Sequence, residues 1–225
     1  MRQVWLAPLL VLCGPAIACA HGVSEGDASF VEANQGAAVI EFLYLGAKHM
    51  VTGYDHLLFL AAVIFFLYRL KDVVAYVTLF TIGHSITLLA GVLGGIHANP
   101  YVIDAIIGFS VVYKAFDNLG GFPQFLGFEP NTKLAVMVFG LFHGFGLATK
   151  LQALNLSPDG LVANIVSFNI GVEIGQVMAL TVILLAFVYW RSQPTFLRNA
   201  VVANTMIMTG GFILMGYQIT GYWLG

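Results

Sequence analysis

His49, Asp55 and His56 place two imidazoles and a carboxylate within eight residues, and the chain runs from them directly into the apolar segment Leu57–Leu67. Imidazole and carboxylate are the usual side-chain ligands of divalent transition metals. Three later apolar segments each carry a further candidate ligand: His84, His143 and Glu173. Ionisable groups in hydrocarbon are expensive, and they default to a functional role. Each has a plainer reading. The first three could face water in the headgroup region, a lone His can serve as an interhelical hydrogen-bond partner, and Glu173 could be a protonated carboxyl with a structural bond. The six together point to a metal path. Ser85, Thr87, Asn169 and Gln176 would support it. Asn169, Glu173 and Gln176 recur at i, i+4, i+7 and so share one helix face.

Composition dictates what must position these groups. Of 225 residues, 59% are hydrophobic and 9% charged, far below the roughly 25% charged content of soluble domains. The chain reads as an all-α, polytopic membrane helix bundle. A net charge of −2 argues against nucleic acid as a partner. Membrane lipid and a metal ion are the expected partners, with an oligomer or accessory metalloenzyme-maturation proteins compatible with the sequence. Residues 1–20 read as a secretory signal: Arg2, an apolar run from Val4 to Cys13, then small residues Ala18 and Ala20 before His21. Cleavage there would remove Cys13 and Cys19, the two cysteines, and with them any thiolate site. Cutting before Cys19, as in a lipoprotein, is the competing possibility. Residues 21–225 would form one transmembrane domain.

Along that domain, Glu25, Asp27 and Glu32 make an acidic lead-in, and a freed His21 could offer a weak capture site. Ala37–Lys48 is amphipathic and too short to span, so it reads as an interfacial or partly inserted helix. About six spans follow: Tyr54–Tyr68, Val73–Leu93, Tyr101–Leu119, Leu134–Leu151, Leu161–Trp190 and Leu197–Tyr222. Arg69 and Lys71, Lys133, and Arg191 and Arg198 mark alternate loops, which sets the N-terminus outside, in the periplasm of an inner-membrane protein. Lys48 and Lys150 are the exceptions. With that topology His84, His143 and Glu173 lie near mid-bilayer, and Asp55 and His56 at the outer end of their span. Glycines beside His84, His143 and Glu173 would allow close helix approach. Asp104 is a weaker candidate, Lys114 and Asp117 read as a structural i, i+3 pair, and His97 has no assigned role.

Four ordered motifs carry a resemblance. Lys48-His49-x5-Asp55-His56-Leu-Leu-Phe-Leu, Phe80-Thr-Ile-Gly-His84-Ser85-Ile-Thr87-Leu, Gly140-Leu-Phe-His143-Gly144-Phe-Gly146 and Phe168-Asn169-x-Gly171-Val-Glu173-x-Gly175-Gln176 resemble the HupE/UreJ family of hydrogenase and urease accessory membrane proteins. The variant His49-Met-Val-Thr-Gly53-Tyr-Asp55-His56 is similar to the second, less characterised branch. The resemblance implies a small inner-membrane protein of nickel, and sometimes cobalt, uptake. It carries a metal-site role onto His49, Asp55, His56, His84, His143 and Glu173.

The expected function is therefore a permease moving a divalent transition metal inward, nickel foremost, with cobalt or zinc compatible with the same N/O ligands. No nucleotide-binding Gly-rich loop with Lys and Ser/Thr occurs, so ATP would not drive it from within this chain. The rival is an intramembrane zinc-dependent hydrolase of a lipid, amide or ester, using three His, an Asp and Ser85.

Overall fold

The computed structural model describes residues 36–154 and 156–224, together with Ser29 and Val31. The expected signal peptide and His21 lie outside the described residues. Every regular element described is an α-helix: α1 Val39–Thr52, α2 Tyr54–Ile64, α3 Leu70–Gly94, α4 Pro100–Asn118, α5 Gly121–Leu126, α6 Thr132–Gln152, α7 Leu161–Arg191 and α8 Phe196–Leu224. The sequence expectations meet α2–α4 and α6–α8 within about one turn, and α5 was not anticipated. Asn99 and Asn131 cap α4 and α6 by accepting from Val102 N at 3.2 Å and Leu134 N at 3.1 Å.

Among the described residues four helices, α3, α6, α7 and α8, are long and apolar enough to cross a membrane; α2 is a shorter apolar helix. This is fewer than the six spans expected. α4 carries Asp104, Lys114 and Asp117, and α2 has only 11 residues. The charges on α4 are neutralised by pairing. Lys114 Nζ sits 2.7 Å from Asp117 Oδ2, the ion pair expected from its spacing, and donates to Asn118 Oδ1.

The helices associate chiefly as α3 with α6, α1 with α7, and α4 with α8. Small residues make each contact possible, because side chains of normal size would hold the backbones apart. A Cβ on Gly144 would run into the His84 carbonyl, one on Gly171 into the Leu43 carbonyl, and one on Gly108 into the backbone of Met215. Thr87 tightens the first pair by donating across it to Leu141 O at 2.7 Å.

Contacts between helix ends define two ends of the bundle. At one, which we call the outer end, Gln152 donates to Gly91 O and Ile96 O, and Asn164 holds both Ala38 N and Gly36 O. At the inner end Arg191 gathers the carbonyls of Ile64, Phe65 and Leu67, at and just past the C-terminus of α2, and stacks over Tyr68.

α1 is the short helix expected before the first span. It is laid along the outer half of α7, with Leu43 against Gly171 and Ala47 against Gly175. α2 continues in the same direction past the inner half, with Tyr54, Leu58 and Ala61 facing Met178, Val182 and Ile183 across an apolar groove. Together α1 and α2 cover about 37 Å at 1.5 Å per residue. They form one rod broken at Gly53, whose extended backbone (φ −74°, ψ 108°) interrupts the helix. Amphipathicity suggested an interfacial or partly inserted helix because α1 alone is short, and the sequence does not reveal that α7 supplies a partner along its length.

Gly144→Val is expected to lower thermal stability in detergent substantially, because backbone on α3 cannot yield to the added methyls. Gly216→Ala, at a glycine with nothing within 4 Å of an added Cβ, is expected to leave the melting temperature unchanged or slightly raised.

Candidate metal centre

The break at Gly53 does chemical work. In an unbroken helix His49 and His56 would be separated by about 10 Å along the axis. Here their ring centres are 5.0 Å apart, and His56 lies 5.6 Å from His143 on α6. His84 and His143 each occupy the middle of their helix, and α3 and α6 are held together by the Gly144 contact. The four imidazoles thus form a layer halfway through the bundle. His56, His84 and His143 are buried, as is Asp55. Asp55 and His56 occupy the first turn of α2, the outer end of that helix as expected, while α1 continues outward beyond them.

One ring is already oriented. His143 Nδ1 is 2.8 Å from Phe139 O, and a carbonyl can only accept, so the neutral ring carries its proton on Nδ1 and its lone pair on Nε2. His56 Nδ1 lies 3.1 Å from Asp55 Oδ2, a charge contact without hydrogen-bond geometry. His84 is 2% exposed, and neither of its ring nitrogens has a hydrogen-bond partner. The Nε2 of His49 is also buried without one. Leaving such atoms unsatisfied costs about 1–3 kcal/mol each.

Two imidazoles sharing a tetrahedral ion at about 2.0–2.1 Å keep their ring centres roughly 5–6 Å apart, the spacing of His49 with His56 and of His56 with His143. As placed, no three His, Cys, Asp or Glu side chains among the described residues converge on one point. A shared ion therefore requires side-chain rotation.

Beneath the imidazoles lies an aromatic layer that sequence reasoning did not single out. Phe59, Phe80 and Phe139 each sit about one turn inward of His56, His84 and His143 respectively. Phe59 is 5.2 Å from Phe80 and 6.1 Å from Phe139, and His143 lies 5.1 Å from Phe59 and 5.0 Å from Phe80. The signal was in the sequence as Phe at i+3 from His56 and i−4 from the other two, which puts all three rings on the inward side once helix directions are known. Further inward, Asn118 Nδ2 donates to Ala62 O and to Asn204 Oδ1, joining α2, α4 and α8 beside the Lys114–Asp117 pair.

Glu173 is not brought to the imidazoles. It is exposed on α7, among exposed Val166, Ile170, Ile174 and Val177. Gly171 and Gly175 are the face of α7 pressed onto α1, and a residue two positions from each points the opposite way. The supporting residues act between helices: Ser85 and Asn169 bond each other at 2.9 Å, and Thr81 donates to Gln176 Oε1 at 2.9 Å, both linking α3 to α7. Thr87 serves the α3–α6 contact. His97 is exposed in the loop after α3.

A sequence model described as HupE / UreJ protein, that of the second branch, matches residues 25–225. The chain belongs to the HupE/UreJ family. It is thereby a membrane protein of a family with an accessory or transport role for nickel and cobalt. No curated protein and no solved structure matches it. In this HupE/UreJ chain the histidines of the first three motifs form one layer, and the fourth motif supplies the α7 face against which α1 lies.

If the bare nitrogens of His84 await an ion, replacing the ring by an apolar one of similar shape removes a penalty. His84→Phe is expected to keep or raise the melting temperature while abolishing nickel binding, measured on the same preparation. A structural His would show the reverse, a fall in stability.

Proposed function

We propose that this protein is an inner-membrane permease that takes a divalent transition metal, nickel foremost, from the periplasm and passes it inward through the imidazole layer. The observation that carries the reading is His84: a buried imidazole with two unpartnered nitrogens beside three other histidines. The α1–α2 rod is then a discontinuous membrane segment, the device by which transporters present ligands and open backbone at mid-membrane. The N-terminus is periplasmic in this reading, and the outer end is the entrance.

The hydrated ion reaches His49 and His56 from the outer end and exchanges water for imidazole nitrogen. Asp55 contributes negative charge where the dielectric is low, beside the His56 ring. The Nε2 lone pair of His143 and the nitrogens of His84 complete the station. Imidazole and carboxylate without thiolate suit Ni²⁺, Co²⁺ or Zn²⁺. The Phe59–Phe80–Phe139 layer offers no ligand, so it bars onward movement until the rings part, after which Asp117, Asn118 and Asn204 are the next polar groups inward. Holding the ion on rings that must rotate to converge favours release over tight retention.

Proteoliposomes containing the purified protein are expected to accumulate nickel or cobalt down a gradient. His56→Ala and His143→Ala are expected to cut the rate by about tenfold or more at unchanged protein content, and His97→Ala to leave it intact. Tightly bound, stoichiometric zinc with no flux of any metal would contradict the permease and favour the hydrolase.

A further inference from the structure

Asp104 on α4 and Lys150 on α6 form a bidentate ion pair, with Nζ 3.1 Å from Oδ1 and 2.9 Å from Oδ2. Asp104 is 5% exposed, and the lysine side chain 19%. Lys150 stands out in the sequence as a basic residue on the wrong side for its topology, and the pair accounts for it. Stability does not require it, because removing two charges from water is repaid no better than packing apolar groups of the same size. Its position is informative. Lys150 lies seven residues beyond His143 on the same helix, about 10 Å toward the outer end. Gly146, between them, leaves Asp104 Oδ1 only 3.5 Å from where a Cβ would stand. The pair therefore sits on the outer side of the imidazole layer, about 10 Å from His143 along the helix, a range over which a unit charge still acts strongly where the dielectric is low.

We propose that Lys150 is a tethered cation that stands in for the substrate ion, an inference that rests on the metal reading above. With no ion in the layer, its ammonium balances the buried carboxylates of Asp104 and Asp55. When a divalent cation arrives, the flexible lysine stem lets the ammonium withdraw toward the outer surface, and Asp104 keeps hold of it there. The positive charge left nearby weakens ion binding. Lys150 thereby sets an affinity low enough for the ion to leave, which conduction requires. Asp104 acts through Lys150 and is a positioning residue.

The test is equilibrium dialysis of the detergent-purified full chain against nickel alone. Lys150→Met is expected to lower the Kd by about tenfold or more, Lys150→Arg to stay near wild type, and Asp104→Asn, which releases the ammonium onto Asp55, to raise the Kd. Lys150→Gln can still donate to Asp104 and serves as the second variant should the methionine protein fail to fold; the same tightening is expected. A wild type that binds nickel, with an unchanged or weaker Kd in a folded Lys150→Met or Lys150→Gln protein, overturns this inference alone. A wild type that binds no metal overturns the metal reading and this inference with it.

Discussion

Burying an imidazole with neither ring nitrogen hydrogen-bonded works against folding, and His84 does so at the centre of this bundle. An apolar side chain of the same shape would carry no such penalty. The cost persists only because the surrounding packing fixes the ring: Phe80 stacks on it at 6.1 Å, and its own backbone carbonyl is pressed against Gly144. The same contact aligns α3 with α6 and sets His143 beside the layer. Packing energy gathered along the helix pairs thus holds polar atoms without a protein hydrogen-bond partner, the usual relation between a rigid scaffold and a strained site.

Breaking a helix is the second device. A continuous segment through residues 39–64 would place His49 and His56 two turns apart. Gly53 lets the chain stay in file along α7 while the two rings meet, 5.0 Å between centres. The broken ends have to be secured. Asn164 ties the lead-in to the start of α7, and Arg191 ties the end of α2 to its finish. Both tethers come from α7, so one helix holds both halves of the rod in register.

Much of this was legible in the sequence and some was not, for physical reasons. Long apolar runs gave the helices, because a span needs a length that composition alone reveals. His49, His56, His84 and His143 stood out because ionisable groups are rare in such runs. Position along single segments put His84 and His143 near the middle of their helices and Asp55 and His56 at the start of theirs, as found. It did not show that α1 extends outward beyond Asp55 and His56, since only its pairing with α7 makes it part of a longer rod. The shared face of Asn169, Glu173 and Gln176 was real for the first and last, both buried. Glu173 lies at the margin of that face, and which side of the margin is covered depends on where Gly171 and Gly175 pack. The Phe59–Phe80–Phe139 layer and the Asp104–Lys150 pair each join residues of different helices, so no pattern local to one segment could show them.

The central claim is that imidazoles from different helices hold the ion together. X-ray absorption at the nickel edge of the purified, nickel-loaded protein tests this directly, because imidazole rings leave a characteristic outer-shell scattering that water and carboxylate lack. The account predicts two or more imidazoles on nickel, oxygen in the remaining positions and no sulfur. A shell of oxygen alone, or a single imidazole from a surface histidine, would contradict it.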